Sequence, residues 1–188
     1  MDKILIAAST HWDREWYRTF QEFQIRLCGL MNRLITLLEQ DEEFLCYTFD
    51  GQSVVLEDYL EIYPENRGRI EKLAAEGRLV FGPLYNLPDE FLSGGEALIR
   101  NFLLGDEVCR SVGGRLKEFW WESPDGSRVL CEYMILGYWS LKSWGKMGKT
   151  AAEHFYDAYR TLKESSRLNT FLLINGSDHL YQDPDFTA

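Results

Sequence analysis

Short apolar runs alternate with longer stretches of mixed polarity along the whole chain. An apolar run that ends in polar residues is typical of a buried parallel strand, and apolar positions every three to four residues are typical of an amphipathic helix. The pattern predicts strands over residues 3–9, 44–49, 78–82, 129–137 and 170–175. It predicts helices over residues 15–40, 53–62, 65–76, 97–112 and 151–165. This alternation favours an α/β fold with a parallel sheet, either open or closed as a barrel.

Several residues mark where these elements begin and end. Ser53 is a plausible N-cap for the second helix, and Gly77 is expected to end the third. There is no Gly-rich dinucleotide or phosphate-binding motif, so nothing in the sequence supports a doubly wound nucleotide-binding fold.

Polar clusters follow four of the predicted strands. They lie at residues 11–13, 50–52, 89–90 and 178–179. In parallel α/β proteins the functional site is assembled from loops at the carboxyl ends of the strands. We therefore expect these four clusters to meet at one edge of the sheet.

His11 and Asp13 are two residues apart, which is the side-chain period of an extended chain. Both side chains can therefore face one point. Zinc accepts imidazole nitrogen and carboxylate oxygen, so the pair suits half of a metal site. The alternative is a structural pair joined by a hydrogen bond.

Asp178 follows the most apolar strand of the chain. An apolar, aromatic-lined surrounding favours the protonated form of a carboxyl, as a general acid requires, whereas Gly-Ser-Asp also suits an ordinary turn. Eight aromatic residues are expected near the same edge: Trp12, Trp16, Tyr17, Tyr85, Trp120, Trp121, Tyr138 and Trp139. Rings and acids around one opening suit a carbohydrate, although about half of these rings could equally be core.

Composition and charge limit the classes of partner and the cellular compartment that we expect for the protein. The chain has 188 residues and a net charge of −10, and an acidic surface repels phosphate backbones, so nucleic acid is excluded as a partner. No apolar run approaches the ~20 residues of a membrane span, and no signal peptide is evident at the start. The cysteines, widely spaced and without a Cys-x-x-Cys pair, favour buried free thiols; they are Cys28, Cys46, Cys109 and Cys131. These features predict a cytoplasmic protein.

Five stretches of the chain together resemble one family. They read STHWDREW (residues 9–16), FDGQ (49–52), GPLY with PDEFL and GE (82–96), FWWESPDGS (119–127) and NGSDH (175–179). In this order they resemble glycoside hydrolase family 38, the class II α-mannosidases. The HWDREW form is similar to the bacterial, cytoplasmic branch, which includes hydrolases of mannosyl-glycerate and of short mannosides.

The resemblance implies a fold and a mechanism. The family's barrel has seven parallel strands with alternating helices, and the present chain would be part of such a barrel. The mechanism is retaining, with two carboxylates and one zinc ion. By position in the motifs, His11 and Asp13 resemble two zinc ligands and Asp178 resembles the acid/base. We expect the remaining site residues to bind the mannoside substrate; these are Trp12, Asp50, Tyr85, Asp89, Trp121 and His179.

The sequence departs from the family pattern at one place within the chain. The segment Pro-Asp-x-Phe-Gly-His, which carries the family's nucleophile, is absent, and the chain passes directly from Leu116 to Lys117 where relatives have it. The expected domain, residues 1–188, is therefore an incomplete glycosidase barrel that also lacks the family's downstream domains. We predict weak or no zinc binding and no activity by this chain alone. We also predict that an unpaired sheet edge promotes homo-oligomers.

Two other functions are compatible with parts of the pattern. One is a non-catalytic carbohydrate-binding or vestigial remnant of the same fold. The other is a metal-dependent deacetylase, but that class needs an Asp-Asp pair and a later His-x-x-x-His run, and the sequence has neither.

Overall fold

The computed structural model describes residues 2–89, 91–114, 140–141, 150–165 and 169–179. Strands and helices alternate within these residues, as the sequence pattern predicts. The elements are β1 (Lys3–Ser9), α1 (Phe20–Gln40), β2 (Tyr47–Thr48), α2 (Val54–Leu60), a short 3-10 helix (Pro64–Asn66), α3 (Arg67–Ala75), β3 (Leu79–Val80), α4 (Gly95–Ser111), α5 (Ala151–Ser165) and β4 (Thr170–Asn175). The strand predicted over residues 129–137 lies outside the described residues.

The four described strands form one parallel sheet in the order β3-β2-β1-β4. The longest pairing joins β1 to β4, from Lys3 opposite Thr170 to Ala8 opposite Asn175. Strands β2 and β3 are much shorter than predicted, because only Tyr47, Thr48, Leu79 and Val80 form the ladder. All four strands point the same way, so their carboxyl ends share one edge of the sheet.

Helix α1 begins at Phe20, five residues later than the pattern suggested. Its start is fixed by a capping box, in which the Thr19 side chain accepts the backbone N–H of Glu22 and the Glu22 carboxylate accepts the backbone N–H of Thr19. One face is buried, while Ile25 on the other face is 73% exposed. Because β1 ends at Ser9 and α1 begins only at Phe20, residues 10–19 form a loop between them.

Two apolar clusters hold the described sheet in place. The larger cluster joins α1, α2, α3 and α4 to β2 and β3 and includes Trp12. The smaller cluster packs α5 on β4 through Leu141, Ala158, Leu162, Phe171 and Leu173. Strand β1 is hydrogen-bonded to strands on both sides, so it connects the part of the chain built on the larger cluster to the part built on the smaller one.

The structure tests two predicted helix ends. Gly77 has φ +71° and follows α3, and the backbone N–H of Arg78 reaches back to Leu73 O, so the predicted C-terminal glycine is confirmed. Ser53 occupies the N-cap position of α2, but its side chain makes no capping hydrogen bond. The predicted N-cap position is therefore confirmed, although the Ser53 hydroxyl makes no hydrogen bond to the helix.

The cysteines that the structure describes are free thiols. Cys28 and Cys109 are buried as expected, but Cys46 is exposed, so burial was wrongly predicted for that residue. Within the described part of the chain, no helix combines the length and the apolar character needed to cross a lipid bilayer.

Candidate functional site

The carboxyl ends of β1 and β4 bring residues from opposite ends of the chain together. His11 and Asp178 form a parallel bridge beyond the two strands, with the backbone N–H of His11 donating to Ser177 O and that of His179 donating to His11 O. Gly176 permits this approach, because a Cβ there would lie 2.1 Å from Ser9 O. A glycine at this position is therefore a requirement of the site.

Three potential metal ligands meet at this point. His11, Asp13 and Asp178 each offer one ligand atom, and these atoms all lie within 4.8 Å of one another. His11 Nε2 is 3.4 Å from Asp13 Oδ1, and all three residues are partly buried. One imidazole nitrogen and two carboxylate oxygens fit the donors that zinc accepts, and three protein ligands is the usual number for a catalytic site.

Asp50, from the loop after β2, contacts the other nitrogen of the same imidazole. Its Oδ2 lies 3.0 Å from His11 Nδ1. Burial disfavours the protonated imidazole, but the hydrogen bond to Asp50 and the negative charges of Asp50, Asp13 and Asp178 outweigh burial and raise the pKa of His11. His11 therefore lies between carboxylates on both of its ring nitrogens.

His179 has a different environment, although it too contacts Asp13. Its ring stacks on Phe23 at 4.2 Å between centroids and meets the rings of Trp12 and Tyr17 edge-on at 5.0 and 5.6 Å. The backbone N–H of Asp13 donates to His179 Nε2 at 3.1 Å. Burial lowers the pKa of His179, outweighing the nearby carboxylates. The His179 ring, which is surrounded by these aromatic side chains, thus accepts a hydrogen bond from the Asp13 backbone.

The family assignment follows from comparison with known sequences. The sequence profile of the glycosyl hydrolases family 38 N-terminal domain matches residues 2–116 and, in a second stretch, residues 110–187. The chain belongs to glycosyl hydrolases family 38.

Other members of the family are similar over parts of the chain. A protein of Halalkalibacterium halodurans named as a mannosylglycerate hydrolase is 41% identical over 113 residues, which are 60% of this chain and 13% of that protein. Alpha-mannosidase 2C1 of Mus musculus is 30% identical over 112 residues, 58% of this chain and 11% of that protein. The matched part thus spans about an eighth or less of the length of these relatives.

Solved structures support the fold. The crystal structure of an alpha-mannosidase from Enterococcus faecalis V583 matches 100% of this chain and 26% of its own, with a TM-score of 0.86 and 26% identity. A second family 38 protein of Enterococcus faecalis, 24% identical, matches 93% of this chain and 23% of its own with a TM-score of 0.69. The predicted fold class, a partial (β/α) barrel with parallel strands and alternating helices, is confirmed.

Of the other residues predicted to bind substrate in this family 38 domain, Trp12, Tyr85 and Asp89 lie within the described part of the chain. Trp12 is 1% exposed and packs edge-on against Phe23 and His179, and the Tyr85 hydroxyl donates to Glu57 at 2.8 Å. Asp89 is exposed and accepts the backbone N–H of Phe91 in a turn. Trp121 lies outside the described residues. The described contacts of Trp12, Tyr85 and Asp89 are with protein groups, and substrate binding by any of the six stays a prediction.

An ion pair beneath the site was not found by sequence reasoning. Arg14, one residue after the predicted ligand Asp13, makes two hydrogen bonds of 2.8 and 2.7 Å to the Asp58 carboxylate of α2, and its guanidinium lies 4.9 Å from the Phe20 ring centre. The Asp58 side chain is 6% exposed. Burial raises the pKa of Asp58 despite the opposing effect of Arg14. The sequence signal for this ion pair was Asp58, an acidic residue among the apolar residues of α2.

Proposed function

We propose that the chain is part of a retaining, zinc-dependent α-mannosidase-type hydrolase that acts on α-mannosides or mannosyl-glycerate. The observation that carries the proposal is the meeting of His11, Asp13 and Asp178 at the carboxyl edge of the sheet in a family 38 domain. The names of the relatives support the substrate class, because both refer to enzymes that act on mannosides. The bacterial relative is compatible with a cytoplasmic location, which remains part of the proposal.

Each described site residue has a distinct chemical task in this proposal. His11 and Asp13 would hold the zinc ion, which when bound supplies positive charge that orients and polarises sugar hydroxyls. Asp178 would hold a proton on its carboxyl and deliver it to the glycosidic oxygen as the bond to the leaving group breaks. Asp178 lies close enough to serve as a third ligand instead, and the two tasks compete because a metal-bound carboxylate is a poor proton carrier.

The missing nucleophile segment favours a second candidate function for this chain. Without a carboxylate to attack the anomeric carbon, the retaining mechanism lacks its first step. The family profile matches in two stretches that overlap at residues 110–116, next to the point where the segment is absent. This supports a non-catalytic, carbohydrate-binding or vestigial role for the chain as it stands.

Hydrolysis of 4-nitrophenyl α-mannoside separates the two candidates. We expect no turnover by this chain with or without added zinc, because no described residue takes the nucleophile's place. Turnover that is lost in Asp178→Asn would contradict that expectation and show that the chain is catalytic. Sequencing the source gene across the codons for Leu116 and Lys117 is the companion measurement. An additional Pro-Asp-x-Phe-Gly-His segment there would assign the native protein to the active hydrolases.

Self-association through an exposed sheet edge remains a further prediction. Strand β3 is the terminal strand of the described sheet and is paired only with β2. Sedimentation of a clean monomer in analytical ultracentrifugation would contradict it.

A further inference from the structure

The loop after β2 forms a tight turn that aims one carboxylate at the site. Asp50 has φ +49° and Gly51 has φ +80°, and the backbone N–H of Gln52 donates to Phe49 O across the turn. A positive φ is uncommon for residues other than glycine, and aspartate is among the side chains that tolerate it. Gly51 O accepts the backbone N–H of Leu84, which ties the turn to the loop after β3.

The Asp50 carboxylate determines which nitrogen of the His11 imidazole carries the proton. An ionised aspartate can only accept hydrogen bonds, so the 3.0 Å contact between Asp50 Oδ2 and His11 Nδ1 requires a proton on Nδ1. The opposite contact, from His11 Nε2 to Asp13 Oδ1, is 3.4 Å and longer than an ordinary hydrogen bond. The geometry therefore favours the neutral imidazole with its proton on Nδ1 and the electron pair of the unprotonated nitrogen on Nε2.

That electron pair faces the point where the acidic side chains converge. Nε2 is the His11 nitrogen nearer to Asp13, and both residues belong to the cluster with Asp178. Histidine ligands of metals commonly donate their second N–H to a carboxylate, which sets the ring orientation and the tautomer. The arrangement of Asp50, His11 and Asp13 follows this pattern.

We propose that Asp50 is a positioning residue, which holds the Nδ1 proton of His11 and thereby presents Nε2 towards Asp13 and Asp178. This inference deepens the proposed function at the same site, and it assigns Asp50 a task other than the substrate contact predicted from the family motif. The tautomer of His11 is a property of the metal-free protein. The inference can therefore be tested whether or not zinc binds.

The test is long-range proton–nitrogen NMR on the metal-free chain, at an alkaline pH where the imidazoles are neutral. The chain has three histidines, so His154→Gln and His179→Gln variants complete the assignment. We expect the wild-type His11 to carry its proton on Nδ1. In Asp50→Gly we expect that preference to be lost, and glycine adds no strain at a positive φ. Asp89→Ala, which removes an exposed carboxylate from another loop, is the control and should leave the His11 signals unchanged.

Zinc titration provides a second measurement on the same variants. If the site binds zinc measurably, Asp50→Gly should weaken the affinity about 10- to 100-fold, the usual effect of removing a partner of a metal-bound histidine. Absence of zinc binding with an intact Nδ1–H signal is the result expected of an incomplete metal site, and it would leave the role of Asp50 standing. A wild-type His11 protonated on Nε2, or an Asp50→Gly variant that keeps the wild-type tautomer, would overturn the inference.

Discussion

The two histidines at the site edge each follow a strand of the same sheet, but they have opposite surroundings. His11 faces carboxylates, with Asp50 on one nitrogen and Asp13 on the other, and we call this half the carboxylate side. His179 is enclosed by Trp12, Tyr17 and Phe23, and we call this half the aromatic side. Asp13 contacts both rings. The comparison shows that packing, not residue type, decides whether each imidazole is surrounded by carboxylates or by aromatic rings.

The aromatic side should contribute most to stability. Phe23 is fully buried and stacks on His179, so Phe23→Ala should lower the free energy of unfolding by about 3–5 kcal/mol, since it removes a ring and leaves a cavity. Ile25→Ala, on the exposed face of the same helix, should cost less than about 0.5 kcal/mol. Urea unfolding measures both. A loss below about 1 kcal/mol for Phe23→Ala would mean that the enclosure around His179 is not tightly packed.

The ion pair beneath both sides should have a smaller effect. Arg14→Met leaves the Asp58 carboxylate buried without its partner, and we expect a loss of about 2 kcal/mol. This is less than for a fully buried pair, because the Arg14 side chain is 37% exposed. The double variant Arg14→Met/Asp58→Asn should recover part of the loss in urea unfolding. Equal losses in the single and double variants would contradict the idea that the unpaired charge is the cause.

The contributions of His11 and His179 to the free energy of unfolding should also depend on pH in opposite directions. We expect these contributions to be smaller than the effects of the Phe23 and Arg14 substitutions. Both histidines start from an ordinary pKa of about 6.5. The folded pKa of His179 is lowered, so its contribution to stability is lost as pH falls from the ordinary value through the folded one. The folded pKa of His11 is raised, so its contribution is present below the ordinary value and is lost as pH rises through the folded one.

Titration of the two imidazole C–H signals by NMR in metal-free buffer measures these shifts directly. We expect His11 to titrate above the ordinary value and His179 below it. Identical midpoints for the two rings would remove the distinction between the carboxylate side and the aromatic side.

The local sequence pattern was sufficient to predict part of the fold and part of the candidate site. Apolar periodicity predicted β1, α5 and β4 nearly to the residue, and the rule that sites lie at the carboxyl ends of parallel strands predicted that His11 and Asp178 would meet. These features depend on neighbouring residues or on a general property of the fold. The family resemblance supplied the expected roles.

Other features depend on contacts between residues distant in the sequence. Trp12 is 1% exposed and packs against Phe23 and against His179, which is 167 positions away, and the sequence pattern did not predict these contacts. The contact of Asp50 with His11 requires the positive φ of a turn that the motif alone does not reveal. These contacts join residues that are far apart in the sequence, and they form only when the sheet is assembled. Residue spacing alone therefore could not predict them.

Calorimetric titration of zinc into the metal-free chain tests the central claim, that this family 38 domain holds only part of a catalytic metal site. We expect a dissociation constant weaker than about 1 μM, because the segment that the family resemblance predicts to supply a further ligand is not found in the sequence. The heat should vanish in His11→Ala and persist in Asp178→Asn if Asp178 serves as the acid. Submicromolar binding by the wild-type chain would contradict the account and show that the described residues already form a complete site.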